Sequence, residues 1–188
     1  MTEHEFEYKA LLTEAEYLRL YAHFSQQYTT CTYTQINHYY DTREFLLSRL
    51  HVTLRVREKA TGLTLEFKHG QRIVNGMRAA TEDRIPVSVI PAEISGKSLP
   101  DCDDSLIFYP IGSLTTVRTD CKIGNALLSL DKNTYLGITD FEVEVEVDET
   151  GMLPDEITQL GISFSAKTVG KFHRFLSERR KNTETFRF

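Results

Sequence analysis

Apolar and polar residues alternate along several segments of the chain, as they do in strands with one apolar and one charged face. In residues 5–9, EFEYK, Phe6 and Tyr8 fall on one face while Glu5, Glu7 and Lys9 fall on the other. The same alternation recurs in LRVR at 54–57, LEFK at 65–68 and FEVEVEV at 141–147. The pattern predicts a set of strands whose charged faces carry both signs.

The rest of the chain extends this prediction to about eight strands and two main helices. Thr13 and Glu16 have the spacing of a capping box, which predicts a helix over about 13–27. A second helix is predicted over 165–180, with basic residues toward its end, and a short one after Pro154. The strands after the first are predicted at 32–42, 51–70 (broken as a hairpin at Thr61–Gly62), 77–85, 112–122, 125–135 and 138–148.

Length and charge limit the class of protein. A chain of 188 residues with 40% hydrophobic residues is long enough for one α+β domain, predicted to span 1–188. A net charge of -5 gives no bulk attraction to nucleic acid or to an anionic membrane, so we expect neither as a partner. The three cysteines show no C-x-x-C spacing, and no leader or long apolar run is present, which together predict a soluble cytoplasmic protein.

The charged faces allow two arrangements of the sheet. In one, the apolar faces pack inward and the charges meet solvent, which is the better interpretation of any single strand. In the other, a closed barrel turns its charges inward and covers its apolar outside with the helices at 13–27 and 167–180. Glu142, Glu144 and Glu146 share one face and repel one another unless cations lie opposite, which favours the second arrangement. Burial of so many charges indicates a site for a highly charged anion with metal ions.

At this point the sequence resembles a known family. EFEYK matches the E-x-E-x-K signature of the CYTH superfamily, the triphosphate tunnel metalloenzymes, and LRVR resembles the L-R-x-R element of that family. The order continues with YYDT at 39–42, Lys68, Glu82, Arg118, SLD at 129–131, EVEVE at 142–146 and Lys167 in SAKTVGK. The whole set looks most like the YjbK-like bacterial branch. One departure is Glu66, where the family often has Thr two residues before Lys68.

The resemblance implies an eight-stranded antiparallel β-barrel with flanking helices, which forms a tunnel for a triphosphate-bearing small molecule and for Mg²⁺ or Mn²⁺. Lys and Arg side chains can neutralise phosphate oxygens, and carboxylates supply the hard oxygen ligands that these metals prefer. The implied substrate-binding residues are Lys9, Arg55, Arg57, Lys68, Arg118 and Lys167. The implied metal ligands are Glu5, Glu7, Glu142, Glu144, Glu146 and Asp131, with Glu82 as a further candidate. Glu5, Glu7 and Lys9 are the expected catalytic residues.

The expected activity is metal-dependent hydrolysis of inorganic tripolyphosphate or of an organic triphosphate. A class IV-type adenylate cyclase, making cyclic AMP from ATP, is an alternative that uses the same tunnel. A sensor that binds triphosphate or polyphosphate without turnover is the non-enzymatic alternative. The sequence contains no G-x-x-x-x-G-K phosphate-binding loop, and the resemblance is compatible with a homodimer.

Overall fold

The computed structural model describes residues 1–185, with side chains to residue 182, so the last residues of the predicted 1–188 domain lie outside the described part. The strands are β1 (Thr2–Leu12), β2 (Thr30–Asp41), β3 (Thr53–Lys59), β4 (Gly62–Val74), β5 (Met77–Val87), β6 (Ile94–Ser95), β7 (Ile107–Ile123), β8 (Ala126–Tyr135) and β9 (Ile138–Val147). The helices are α1 (Glu14–Gln27), α2 (Leu46–Arg49), α3 (Asp155–Thr158) and α4 (Lys171–Thr185). Within the described residues, no helix combines the length and the apolar character needed to cross a membrane.

Eight of the strands form one closed antiparallel barrel. Their order around the barrel is β2-β3-β4-β5-β1-β9-β8-β7, and β7 pairs back with β2 to complete the ring. Among the strands of residues 1–185, the two-residue β6 pairs with β7 alone and takes no part in closure. The predicted fold class, an eight-stranded antiparallel barrel with flanking helices, is therefore confirmed.

The pleat of the strands turns the charged faces into the barrel. Lys9 on β1 pairs with Glu144 on β9, and Arg118 on β7 pairs with Asp131 on β8. Because paired residues point to the same side of a sheet, cations and carboxylates of neighbouring strands meet in the interior. Of the two arrangements that the sequence allows, the one with an apolar interior is wrong.

Helix α1 covers the outside of the barrel where β8, β9 and β1 expose their apolar faces. Leu20 and Phe24 are almost fully buried against residues such as Val143 and Val145 of β9. The helix begins with the predicted capping box, in which the backbone N–H of Thr13 donates to Glu16 Oε2 at 2.7 Å and the Glu16 N–H donates to Thr13 Oγ1 at 3.3 Å. Burial of this apolar helix face stabilises the fold by about 25 cal/mol per Å² of area removed from water.

Helix α4 departs from the prediction in both its start and its position. It begins at Lys171 rather than near Ser165. Its Phe172 and Phe175 pack on Tyr39, at ring-centroid distances of 4.9 and 5.3 Å, and Tyr39 is an interior-facing residue of β2. The helix therefore closes one end of the barrel interior instead of covering the outside. The cause is its mixed N-terminal face, whose aromatic rings meet Tyr39 while Lys171 reaches carboxylates inside the barrel.

Candidate functional site in the barrel interior

The barrel encloses a cavity of about 460 Å³ that opens to solvent. Nine of the residues predicted from the sequence line its wall: Glu5, Glu7, Lys9, Arg55, Arg57, Lys68, Arg118, Glu144 and Glu146. Glu82, the further candidate, also lines it. Side chains far apart in the sequence thus share one enclosed space, because each occupies the inward face of its own strand.

Cations exceed carboxylates on the cavity wall. Among the described residues, nine Lys and Arg side chains and five Glu side chains line it, since Arg72, Arg78, Arg84 and Lys171 add to the predicted cations. Three more carboxylates, those of Glu66, Asp131 and Glu142, are buried beside the wall and paired with its cations. The nine basic side chains are thus nearly balanced by eight carboxylates. A strongly charged anion could be neutralised here only together with additional cations.

One carboxylate holds both arginines of the LRVR segment. Glu66 lies 2.6 Å from Arg55 Nε and 3.2 Å from Arg57 Nη1, and Arg55 also reaches Glu82 at 3.0 Å. Burial works against ionisation of Glu66, but the two arginines outweigh it and lower the pKa of Glu66. Burial, with Arg55 next in importance, lowers the pKa of Arg57. Arg57 is therefore the less neutralised of the two and has charge available for an anion.

A second ionic cluster joins β1, β7, β8 and β9. Lys9 Nζ lies 2.6 Å from Glu144 Oε1, and Arg118 forms two hydrogen bonds with Asp131 at 2.8 and 2.7 Å while also contacting Glu144. Burial opposes the charged form of each carboxylate, yet Lys9 and Arg118 hold the pKa of Glu144 well below its ordinary value. Burial also opposes ionisation of Asp131, but Arg118 and Lys171 outweigh it and lower the pKa of Asp131. The cluster is ionised at neutral pH.

Lys171 occupies the place that the sequence assigns to Lys167. Its Nζ lies 2.7 Å from Asp131 and 2.9 Å from Glu144, and it also contacts Glu142. Lys167 is exposed and does not line the cavity. The helix starts only at Lys171, so Lys167 belongs to the preceding turn and points to solvent. The structure thus gives no support to substrate binding by Lys167.

The carboxylates fall into two groups that differ in how closely basic side chains contact them. Oxygens of Asp131, Glu142 and Glu144 come within 4.8 Å of one another, but Lys171 contacts all three. Glu142 also forms an ion pair with Arg174 Nη2 at 2.8 Å. The carboxylate oxygens of Glu142 have no hydrogen-bond partner of good geometry among the described residues. Although the described residues bring these carboxylates closest together, a divalent ion there would have to displace the amino group of Lys171, whose pKa burial lowers against the attraction of Asp131.

The second group comprises Glu5, Glu7 and Glu146 on adjacent strands β1 and β9. Glu5 contacts Lys68, while Glu7 lies 3.4 Å from Lys9 and 3.7 Å from Lys68. No basic side chain in the described part of the chain lies within 4.0 Å of Glu146. Glu146 is exposed to solvent on one side, and partial desolvation, then the neighbouring charge of Glu5, raise its pKa. Carboxylate oxygens beside a cavity are the ligand type that a hard divalent cation prefers, although within the described residues the oxygens of Glu5, Glu7 and Glu146 do not all lie within 4.8 Å of one another.

Several wall residues were missed by sequence reasoning. Arg78 and Arg84 of β5 lie four residues before and two residues after Glu82, on the same inward face, and this even spacing could have revealed them. Gln35 and Asn37 precede Tyr39 on the inward face of β2, but uncharged residues in a Thr- and Tyr-rich strand produce no charge pattern. Asp41, in the YYDT segment, accepts hydrogen bonds from the backbone N–H groups of residues 42, 47 and 48, so its carboxylate holds the chain after β2.

A closed antiparallel barrel with cations and carboxylates around an internal cavity defines a tunnel-barrel protein. The family model described as "CYTH domain" matches residues 3–168. A Bacillus subtilis (strain 168) protein named "Putative triphosphatase YjbK" is 30% identical over 193 residues, which cover 95% of this chain and 97% of that protein. The chain therefore belongs to the CYTH domain family.

Solved structures agree with this assignment. One from Bacillus halodurans, described as a "putative adenylate cyclase", has 26% identity and a TM-score of 0.69, covering 93% of this chain and 98% of that one. A Hippeastrum structure, described as a "putative adenylyl cyclase" with a dominant triphosphatase activity, has a TM-score of 0.70, 21% identity, and coverage of 92% and 95%. The second likeness bears on the fold alone.

Proposed function

We propose that the protein hydrolyses a triphosphate, inorganic or organic, in a metal-dependent reaction inside the barrel. The observation that carries the proposal is the convergence of Lys and Arg side chains from five strands and α4 on one cavity, beside carboxylates that lack a full set of cations. Phosphate oxygens are the natural partners of such cations, and a divalent ion is the natural partner of such carboxylates. The name of the B. subtilis relative supports the same activity.

The phosphate chain is held by Lys9, Arg55, Arg57, Lys68, Arg118 and Lys171. Of these, Arg57 offers a planar guanidinium that can bind two phosphate oxygens at once. Asp131 and Glu142 act indirectly, because they position Arg118 and Lys171 through ion pairs. Lys167, which is exposed, has no part in this scheme.

Glu5, Glu7 and Glu146 are the residues that would hold Mg²⁺ or Mn²⁺, and Glu144 lies next to them on β9. When bound, the metal ion supplies positive charge to the phosphate oxygens and lowers the pKa of a coordinated water. Glu7 orients the attacking water through its carboxylate. Lys9, 3.4 Å from Glu7, stabilises the charge on the transferring phosphoryl group. The proposal takes the chain as one CYTH domain.

Cyclisation of ATP is a second candidate, favoured by the similarity to the B. halodurans structure described as an adenylate cyclase. Cyclisation requires that adenine and ribose are held so that the 3′-hydroxyl faces the α-phosphorus. The charged side chains on the cavity wall address a phosphate chain and provide no evident ribose clamp. Hydrolysis needs no such clamp, because the nucleophile is water.

Product identification by ³¹P NMR tests these possibilities. The purified protein is incubated with Mg²⁺ or Mn²⁺ and either tripolyphosphate or ATP. We expect orthophosphate from both, with a higher kcat/KM for tripolyphosphate. Cyclic AMP with pyrophosphate as the main products from ATP would overturn hydrolysis in favour of cyclisation, and tight binding with neither product would indicate a sensor.

A further inference from the structure

Three successive interior-facing residues of β2 carry unpaired polar atoms. Gln35, Asn37 and Tyr39, which we call the β2 polar row, are uncharged, at most 1% exposed, and part of the cavity wall. Within the described residues, Gln35 Oε1, Asn37 Nδ2 and the Tyr39 hydroxyl have no hydrogen-bond partner. A buried polar group without a partner is rare and destabilising. Three of them in one row beside a cavity indicate that their partner is a ligand.

The orientation of the Asn37 amide is fixed by Arg57, its register partner on β3. Arg57 Nε donates to Asn37 Oδ1 at 3.2 Å. A guanidinium group can only donate hydrogen bonds, so the atom that faces it must be the amide oxygen. The free atom of Asn37 is therefore its NH₂ group, a donor that requires an acceptor.

The surroundings of Asn37 favour an anionic acceptor. Arg57 lies 3.2 Å from one carboxylate, that of Glu66, which it shares with Arg55. Among the described residues, Glu66 is the one carboxylate within 4.0 Å of Arg57 and is already paired with Arg55, so the region beside Asn37 is short of negative charge. Burial and the charge of Arg55 accordingly lower the pKa of Arg57. A neutral donor here contributes a hydrogen bond to an anion without adding to the repulsion between Arg55 and Arg57.

Asn133 is a buried asparagine of the same barrel whose amide is fully hydrogen-bonded within the protein. It is fully buried on β8, like Asn37 on β2. Its Oδ1 accepts from Thr116 Oγ1 at 2.7 Å, and its Nδ2 donates to Asp140 Oδ1 at 3.0 Å. Both ends of the Asn133 amide are satisfied within the protein, whereas Asn37 keeps its donor unpaired.

We propose that the β2 polar row is a ligand subsite in which the Asn37 amide donates a hydrogen bond to a phosphate oxygen of the bound triphosphate. The ligand class rests on the proposed function. Gln35 and Tyr39 flank this contact on the same wall. The polar atoms that are unpaired in the free protein thus contribute to ligand binding. The Asn37 oxygen that accepts from Arg57 and the Tyr39 ring that packs on Phe172 contribute to stability.

The test compares affinity and stability in full-length variants. Affinity is measured by calorimetry with Mg²⁺ and a methylene-bridged analogue of tripolyphosphate, and stability by thermal unfolding of the free protein. Asn37→Leu removes both the unpaired donor and the oxygen that Arg57 contacts. Asn37→Asp keeps that oxygen but replaces the donor with a negative charge. Asn133→Leu is the matched control for a fully paired buried amide.

We expect Asn37→Leu to weaken binding by at least about 10-fold, the effect of one lost hydrogen bond to a charged group. Its Tm should fall less than that of Asn133→Leu, because only one end of the Asn37 amide is paired in the free protein. Asn37→Asp should weaken binding more strongly, because it adds repulsion. Asn133→Leu should lower the Tm by several degrees. Wild-type affinity in both Asn37 variants, or a drop in Tm for Asn37→Leu equal to that of Asn133→Leu, would overturn the subsite.

The outcomes distinguish failure of the proposed function from failure of the Asn37 subsite. A wild-type protein that binds the analogue but releases no orthophosphate from tripolyphosphate contradicts hydrolysis, while the ratio of dissociation constants still decides the role of Asn37. A wild-type protein that does not bind the analogue contradicts the ligand class and, with it, the subsite.

Discussion

Lys9 Nζ on β1 and Glu144 Oε1 on the neighbouring strand β9 lie 2.6 Å apart. This contact joins the E-x-E-x-K segment to the E-V-E-V-E segment, because the two residues are register partners and both face the interior. Burial opposes both charges, yet each raises the other's tendency to ionise: Glu144 raises the pKa of Lys9, and Lys9 lowers that of Glu144. The two motifs therefore form one ionic site.

The two arginines of β3 should separate binding from stability. Arg57→Ala removes a proposed phosphate contact but leaves Glu66 paired with Arg55, so we expect binding of tripolyphosphate to weaken about 10-fold or more with unchanged or higher apo stability. Arg55→Ala, the matched variant, leaves Glu66 and Glu82 short of a cation and should cost about 3 kcal/mol of unfolding free energy. Calorimetric titration and denaturant unfolding measure the two effects. An Arg57→Ala protein that unfolds readily but binds normally when folded would mark Arg57 as structural.

Glu66 should make stability depend on pH in the acid range. Its folded-state pKa is lowered below the ordinary 4.5, so its ionised form stabilises the protein above that pH, and this contribution is lost as the pH falls through the folded-state value. We expect Glu66→Gln to be less stable than wild type by about 3 kcal/mol at pH 7 and the difference to shrink below about pH 4.5. Urea unfolding across this range measures it.

The control for Glu66 is Glu149→Gln, at an exposed site, which should change stability by less than about 0.5 kcal/mol at every pH. A stability difference between Glu66→Gln and wild type that stays constant from pH 7 to pH 3 would contradict the assigned ionisation.

Lys171 and Lys167 offer a direct comparison between a buried and an exposed lysine four residues apart. We expect Lys171→Met to weaken tripolyphosphate binding about 10-fold and to lower the Tm, because Asp131 and Glu142 lose their contact with its amino group. Lys167→Met should leave both unchanged. The dissociation constants and melting curves of the two variants check this, and the opposite result would restore the assignment of substrate binding to Lys167.

Much of the fold follows from two-residue alternation. Inward-facing Lys9, Arg55, Glu66 and Glu144 alternate with outward-facing apolar residues, and that alternation identifies the strands and the shared charged face. The capping box at Thr13 likewise marks the start of α1. These are local features, which the chemistry of a few neighbouring residues determines.

The remaining features depend on contacts between distant segments. Lys171 and Arg174 lie on one face of a helix, a pattern typical of solvent exposure, and only Asp131, Glu142 and Asp140 on β8 and β9 explain their burial. The partner of Lys171 could not be predicted because α4 packs into the barrel end through aromatic contacts with Tyr39.

The central claim is that the carboxylates of β1 and a divalent ion act together on a triphosphate in the tunnel. The most direct measurement is the initial rate of orthophosphate release from tripolyphosphate with Mg²⁺, with EDTA, and with Mg²⁺ restored, for wild type and Glu7→Gln. We predict loss of activity in EDTA, recovery with Mg²⁺ or Mn²⁺, and a rate at least about 10-fold lower in Glu7→Gln at unchanged Tm. Full activity in EDTA, or a Glu7→Gln protein as fast as wild type, would contradict the claim.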